Sequence, residues 1–291
     1  MLSEYPLISI IVNLEYFIVA FIAGIIGALF GIGGGIIIVP ALTVLFGLDI
    51  KLAIGASIVA VVATSVSTTG SYVKEDLVNM RLGIFLEVGT SFGALAGAII
   101  SVYLKSTELI IIFSLVVVYA AYVMYKSSKI PENLQFAEKN DFLAEKFRLD
   151  GRYAEKNGNN GNETSKASHY YVDHVPEMLG ISVGAGIASG LLGVGGGFIK
   201  VPALVKISKL PMKAASATSN FMIGVTASTS AIVLFKLGRV DPLIAVPVAF
   251  GTLIGALLGS KLIHYIDATN LRSYFAGLLF LIAIYLFVGA L

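Results

Sequence analysis

The chain has 291 residues, 57% of them apolar and only 13% charged, with a formal net charge of +2 and a mean hydropathy of +0.89. A soluble domain carries about 25% charged residues, so about half the expected charge is missing. That excludes a soluble enzyme, a nucleic-acid binder and a disordered chain. Fifteen charged residues fall between Ser127 and His174, and 23 are spread over the other 243 positions. The rest reads as apolar runs near the roughly 20 residues that cross a bilayer, the mark of a polytopic membrane protein.

Met1 to Ile11 contains no Lys or Arg and carries Glu4, so it lacks the basic start of a signal peptide and no cleaved segment is expected. Apolar stretches then follow at 12–47, 52–73, 82–104, 107–125, 176–208, 214–236, 241–263 and 268–290. The one sizeable polar segment, 127–174, contains Asn157-Gly-Asn-Asn-Gly-Asn162. That composition cannot bury a core and predicts a mobile linker. Asn162-Glu163-Thr164 matches a glycosylation sequon, which in an Asn-rich tract is a chance match. Cysteine is absent, excluding disulfides and thiolate metal sites. The three histidines, His169, His174 and His264, lie in the linker or at a span end. No HExxH motif or intramembrane carboxylate pair occurs, so a membrane protease or metalloenzyme is not expected.

The segment Leu29-Phe-Gly-Ile-Gly-Gly-Gly-Ile-Ile-Ile-Val-Pro-Ala-Leu42 returns as Leu191-Leu-Gly-Val-Gly-Gly-Gly-Phe-Ile-Lys-Val-Pro-Ala-Leu204. The match runs without gaps to Ser57 and Ser219, with 14 of 29 positions identical. Gly93-Ala-Leu-Ala-Gly97 matches Gly251-Thr-Leu-Ile-Gly255 further on. Internal self-similarity of this kind marks a duplicated unit. The expected organisation is a first transmembrane repeat over 1–126, a polar cytoplasmic linker over 127–174 and a second repeat over 175–291, each repeat with four hydrophobic segments.

The first segment of each repeat is too long for one crossing. As a single helix, 12–47 would reach about 54 Å, against a hydrocarbon core of about 30 Å. Gly31, Gly33, Gly34 and Gly35 each lower helix propensity by about 1 kcal/mol relative to Ala, and Val39 precedes Pro40, which favours an extended conformation. A helix ending near Phe30, an extended stretch over 31–39 and a short helix over 40–47 are expected, and the same at 193–201 before Pro202. Extended backbone at membrane depth is tolerated only when buried in protein or facing a cavity. Glycines let main-chain amides face a ligand, and a helix N-terminus just beyond favours an anion. Paired breaks in two repeats point to a transporter binding site. The glycines at 93, 97, 251 and 255 are read as close-packing positions.

If each break forms a re-entrant hairpin, basic residues outside the spans divide 4 against 15 between the two sides; if every segment crosses, they divide 7 against 12. The positive-inside rule favours the hairpin. The fold expected is therefore an all-α polytopic membrane protein built of two inverted repeats, each starting with a Gly-broken re-entrant helix. The linker lies in the cytoplasm and both termini outside. The span after each break is rich in hydroxyls; Ser57 and Ser219 occupy equivalent positions, and Asn220 is an amide in an apolar span. These three are expected to line the substrate path. Lys200, where the first repeat has Ile38, is an intramembrane cation and so a functional candidate for anion pairing or proton coupling. Glu87 lies near one end of its span, within reach of water.

The duplicated GxGGGxxxVPAL element, with the Ala/Ser/Thr-rich span after it, resembles the sulfite exporter TauE/SafE family, also called the TSUP transporters. The resemblance covers nearly the whole chain except the linker, which is long here. It implies an ion-coupled secondary carrier of sulfur-containing anions such as sulfite, sulfonates or thiosulfate. Carried onto this sequence, it places binding at Gly31, Gly33, Gly34, Gly35 and Ser57, and at Gly193, Gly195, Gly196, Gly197 and Ser219; the residue chemistry above adds Lys200 and Asn220. No GxxxxGK[ST] motif occurs, so the carrier is expected to use H+ or Na+ rather than ATP, with no cofactor and no catalytic residue. Its expected partners are a small anion, the lipid bilayer and, as one option, a second copy in a homodimer; no nucleic acid is expected. An anion channel, or a carrier of another small carboxylate or oxyanion, is the alternative. A membrane-bound enzyme is the more distant one.

Overall fold

The computed structural model describes residues 6–127, 141–155, 166–262 and 268–290. The Asn-rich tract, the sequon at Asn162 and His264 lie outside the described residues. The chain is almost wholly helical: α1 (Pro6–Phe30), α2 (Gly35–Val44), α3 (Ile50–Lys74), α4 (Met80–Tyr103), α5 (Ser106–Ser127), α6 (Phe142–Phe147), α7 (Val175–Leu192), α8 (Gly197–Lys206), α9 (Met212–Lys236), α10 (Pro242–Leu262) and α11 (Ala268–Ala290). A two-stranded antiparallel sheet, β1 (Gly151–Glu155) and β2 (Lys166–Tyr170), interrupts them. Among the described residues, seven helices are long and apolar enough to cross a membrane. The protein is an all-α polytopic membrane protein.

Sequence sets the helix limits. Asp49 caps α3 by accepting from the Lys51 amide at 2.8 Å, and Asn79 caps α4 through the Leu82 amide at 3.0 Å; each satisfies a donor that the first turn leaves free. After α1 the chain reverses. The rings of Tyr16 and Phe46 meet edge to face with centroids 4.8 Å apart, and a side chain on Gly27 would collide with Gly34. α2 therefore lies back along α1. The long helices of one half pack against those of the other: α1 along α10 and α4 along α7. Small residues carry both seams, as Gly93 and Gly97 abut the Val183 and Ile187 carbonyls while Gly251 and Gly255 abut those of Phe17 and Phe21. With so little polarity to drive association, close backbone approach supplies the packing energy.

α3 and α9 cross at the centre in opposite directions. Val61 and Ile223 meet at their midpoint against the same glycines, and Ser65 on α3 donates to the Asn220 carbonyl on α9. Two ends result. At one, Ser106 donates to Asp49 at 2.8 Å and the Arg239 carbonyl abuts Gly55; this end carries Lys51, Lys105, Lys236 and Arg239. At the other, the Asp173 amide donates to the Ser208 carbonyl at 3.5 Å and Arg81 to the Arg148 carbonyl at 3.3 Å. Lys74, Arg81, Lys206, Lys209 and Lys213 lie there with the polar insert.

The insert is more structured than a composition-based linker. Asp141 caps both α6, through the Ala144 amide at 2.7 Å, and α7, through the Val175 amide at 2.6 Å. Leu149, Tyr170 and Val172 are buried against Leu82, Leu86 and Met178. Asn79 ties the insert to the membrane helices: its Nδ2 donates to the Leu149 carbonyl at 2.7 Å and its amide to Thr218 Oγ1 at 3.0 Å. Burial, with Asp150 nearby, pushes the Tyr170 phenol up to about 12 despite a hydrogen bond to Asn79.

Candidate functional site

Each glycine break is shorter than the expected nine-residue extended stretch. Gly31, Gly33 and Gly34 have φ of +69°, +77° and +77°, and Gly193, Gly195 and Gly196 have +70°, +77° and +73°. Three left-handed residues in four positions reverse the chain at once, a geometry that side-chain-bearing residues resist. The second helices therefore begin at Gly35 and Gly197, and Pro40 and Pro202 lie inside them rather than at their starts. An interior proline costs about 3 kcal/mol. Here Ile36, Ile38, Val39 and Leu42 are all buried around it, and tertiary packing overrides the local preference of Val39 for extended backbone.

The two turns meet. A Cβ on Gly35 would penetrate the Gly193 carbonyl oxygen and lie 2.8 Å from Val194 Cα; one on Gly197 would penetrate the Gly31 oxygen and lie 2.9 Å from Ile32 Cα. Gly33 and Gly195 both rest on Val61 and Ile223. The serines brace this contact reciprocally: Ser57 Oγ donates to the Gly193 carbonyl at 2.8 Å, and Ser219 Oγ to the Gly31 carbonyl at 3.2 Å. Each serine thus holds the turn of the opposite repeat, and both are wholly buried.

The electrostatics follow from helix ends. The Ile37 and Ile38 amides donate to Gly34, and those of Ile199 and Lys200 to Gly196. The earlier amides, of Gly35, Ile36, Gly197 and Phe198, are first-turn donors without an intrahelical acceptor. Two helix N-termini, each equivalent to about half a positive charge, converge in an apolar core. Asn220, the next residue after the Ser219 brace, is wholly buried, and neither Oδ1 nor Nδ2 has a partner among the described residues. Such an orphaned amide is rare in a packed interior. A small cavity of about 30 Å³ adjoins the second turn, lined by Phe30, Ile32, Gly197, Phe198, Val201 and Met212 among others.

Most other hydroxyls in these spans bond their own helix. Thr64, Ser67, Thr68, Ser228, Thr229 and Ser230 each donate to the carbonyl four residues back. Lys200 is paired within the protein. Its ammonium donates to Thr226 Oγ1 at 2.9 Å and lies 3.8 Å from Glu87 Oε2. Sequence reasoning placed Glu87 within reach of water at a span end; the structure makes it the counter-ion. The missed signal was present: one acid and one base in otherwise uncharged spans pair more cheaply than they stand alone. Among the described residues no group of three His, Cys, Asp or Glu could hold a metal ion.

The family model for the sulfite exporter TauE/SafE matches residues 16–286. The chain belongs to that family. The "Probable membrane transporter protein YunE" of Bacillus subtilis (strain 168) is 28% identical over 255 residues, covering 84% of this chain and 86% of the relative. The "Probable membrane transporter protein MJ0441" of Methanocaldococcus jannaschii is 27% identical over 277 residues, covering 90% of each chain. No solved structure matches the chain significantly. This TauE/SafE-family protein is a membrane transporter, not an enzyme.

Proposed function

We propose that this TauE/SafE-family transporter is a secondary carrier of a small sulfur-containing anion, of the sulfite, sulfonate or thiosulfate class, working by alternating access. One observation carries the reading: two glycine turns, braced to each other by Ser57 and Ser219, bring two helix N-termini together, and the residue after one brace is the orphaned amide Asn220. Main-chain amides at helix N-termini bind anions without a counter-charge. An oxyanion with several acceptor oxygens suits a site that is rich in donors and poor in fixed charge. Membership of a family described as sulfite exporters favours sulfur among the oxyanions.

The opposed directions of α3 and α9 support two inverted repeats, and the return of α2 along α1 supports a re-entrant hairpin. Lysines and arginines concentrated at the insert end support a cytoplasmic insert with both termini outside the cell membrane. Symmetric turns that touch at a single crossing can rock about it, opening to one side and then the other. A proton or sodium gradient supplies the driving force.

Purified protein in sealed proteoliposomes tests this. Labelled sulfite, sulfate, thiosulfate and small sulfonates are offered outside, with the unlabelled anion trapped inside. Saturable counterflow of at least one sulfur anion, exceeding that of sulfate and small carboxylates, is expected. Non-saturable flux without counterflow would favour the channel reading, and counterflow of carboxylates alone would refute the sulfur class.

A further inference from the structure

Glu87, Thr226 and Lys200 form a polar chain beside the glycine turns. Lys200 is wholly buried and Glu87 6% exposed. The Lys200 ammonium donates to Thr226 Oγ1 at 2.9 Å, and Thr226 Oγ1 donates in turn to Glu87 Oε1 at 2.6 Å. Thr90 donates to Oε2 at 2.9 Å and Ser91 to Oε1 at 3.3 Å. The duplication supplies an internal control. Ile38, Thr64 and Ala245 occupy the equivalent positions of the other repeat; Ile38 and Ala245 are buried apolar residues, and Thr64 bonds the Ala60 carbonyl at 3.0 Å. The architecture closes without this charge pair.

The two charges differ in access. An open cleft of about 260 Å³ between α4 and α9, lined by Ile84, Glu87, Val88, Ser91, Phe221 and Val225, reaches the carboxylate from the flank of the protein. Lys200 lies behind it, on α8, three residues after Gly197. We propose that Glu87 is the proton-binding residue of the carrier, taking up its proton through the α4–α9 cleft, and that the Lys200 charge so released pairs with the substrate anion at the Gly197 turn. This rests on the carrier reading above. The proton adds to a carboxylate oxygen from water in the cleft and returns to water; no other bond changes.

An ammonium in an apolar core needs one anionic partner at all times. In the empty carrier that partner is the Glu87 carboxylate; in the loaded carrier it is the substrate. Proton and monovalent anion therefore bind together, and the loaded carrier has the charge of the empty one. Among the described residues Lys200 is the ionisable group facing Glu87. From α7 the neighbouring stretch of α4 meets Leu179 and Val183, from α9 come Thr226, Phe221 and Val225, and α4 holds no other ionisable side chain between Arg81 and Tyr103. The Glu87 oxygens already accept from Thr226, Thr90 and Ser91 and face an ammonium 3.8 Å away, surroundings that suit addition of a proton to one oxygen better than coordination of a sodium ion.

Counterflow of sulfite, thiosulfate or a small sulfonate at equal pH first identifies an anion that exchanges. Acid outside should then drive its accumulation, and its apparent affinity should rise by up to about tenfold per pH unit, the limit for one linked proton. Glu87→Gln should abolish gradient-driven accumulation and hold the pH dependence of exchange within about twofold. A carboxyl infrared band that grows on anion binding should disappear in the same variant. If Glu87→Gln does not assemble, Glu87→Asp serves, and a displaced pH profile is expected from it. Retention of pH-driven accumulation or of the wild-type pH profile in these variants would overturn the proposal, as would uptake driven by sodium and not by pH. Failure of every sulfur anion to exchange would overturn the carrier reading instead, and the proposal with it.

Discussion

Gly35 offers a sharp test, because its backbone is helical and only its surroundings forbid a side chain. Ala is the better helix former by about 1 kcal/mol, so local physics predicts that Gly35→Ala stabilises. The structure predicts otherwise. The new Cβ would sit 2.8 Å from Val194 Cα, where ordinary contact begins at 3.4 Å, and would overlap the Gly193 oxygen. Both obstacles are backbone, and relieving the closer one, the oxygen, requires the turns to separate by about 1 Å. The 2.8 Å bond from Ser57 to Gly193 would then pass the limit of a hydrogen bond. Overpacking of this kind costs about 1–3 kcal/mol, offset by the propensity gain, so the net loss of stability is about 0–2 kcal/mol. Transport should fall at least about tenfold, because displacing binding groups by a fraction of an ångström is costly at a preorganised site. Gly184→Ala is the control: a Cβ there meets nothing within 4 Å. Thermal melting in detergent and counterflow of the transported anion measure both quantities. Wild-type exchange in Gly35→Ala, with a melting shift like that of Gly184→Ala, would refute the claim that the turns touch at a working site.

Ser57→Ala and Ser219→Ala each strip a donor from a buried glycine carbonyl and should destabilise by about 1–3 kcal/mol, read as lowered melting temperatures; no shift in either would argue against the reciprocal brace. Asn220→Leu removes two unpartnered polar atoms, so it should leave melting unchanged or raise it while anion exchange is lost. Lower stability with exchange retained would make Asn220 structural. Lys200→Met strands a buried carboxylate and should cost about 3–5 kcal/mol, most of it recovered when Glu87→Gln is added. A double-mutant cycle in thermal melts measures the coupling, and additive losses would mean that the two do not pair.

Local chemistry made much of this molecule legible. The spans announce themselves by length and apolarity, the duplication by the recurrence of GxGGGxxxVPAL, and the break after Phe30 by its glycines. The break was misjudged in extent because a single Val–Pro step argued for extended chain, whereas three left-handed glycines within four positions and burial of most of α2 decided for helix at Gly35. The insert was misjudged because Asn157–Asn162 dominates its composition, while Leu149, Tyr170 and Val172 find their core in α4 and α7.

Apolar length, repetition and backbone freedom are properties of a residue and its near neighbours, so the amino-acid order alone determined a twofold membrane protein with two interrupted helices. Which atoms face the interruptions is a different kind of fact. Ser57 reaches Gly193 across 136 positions, Ser219 reaches Gly31 across 188, and Thr226 reaches Glu87 across 139. No periodicity encodes those separations. They exist because α3 and α9 cross where both turns meet, and only the packed molecule, in which buried donors must find acceptors wherever the helices bring them, decides them.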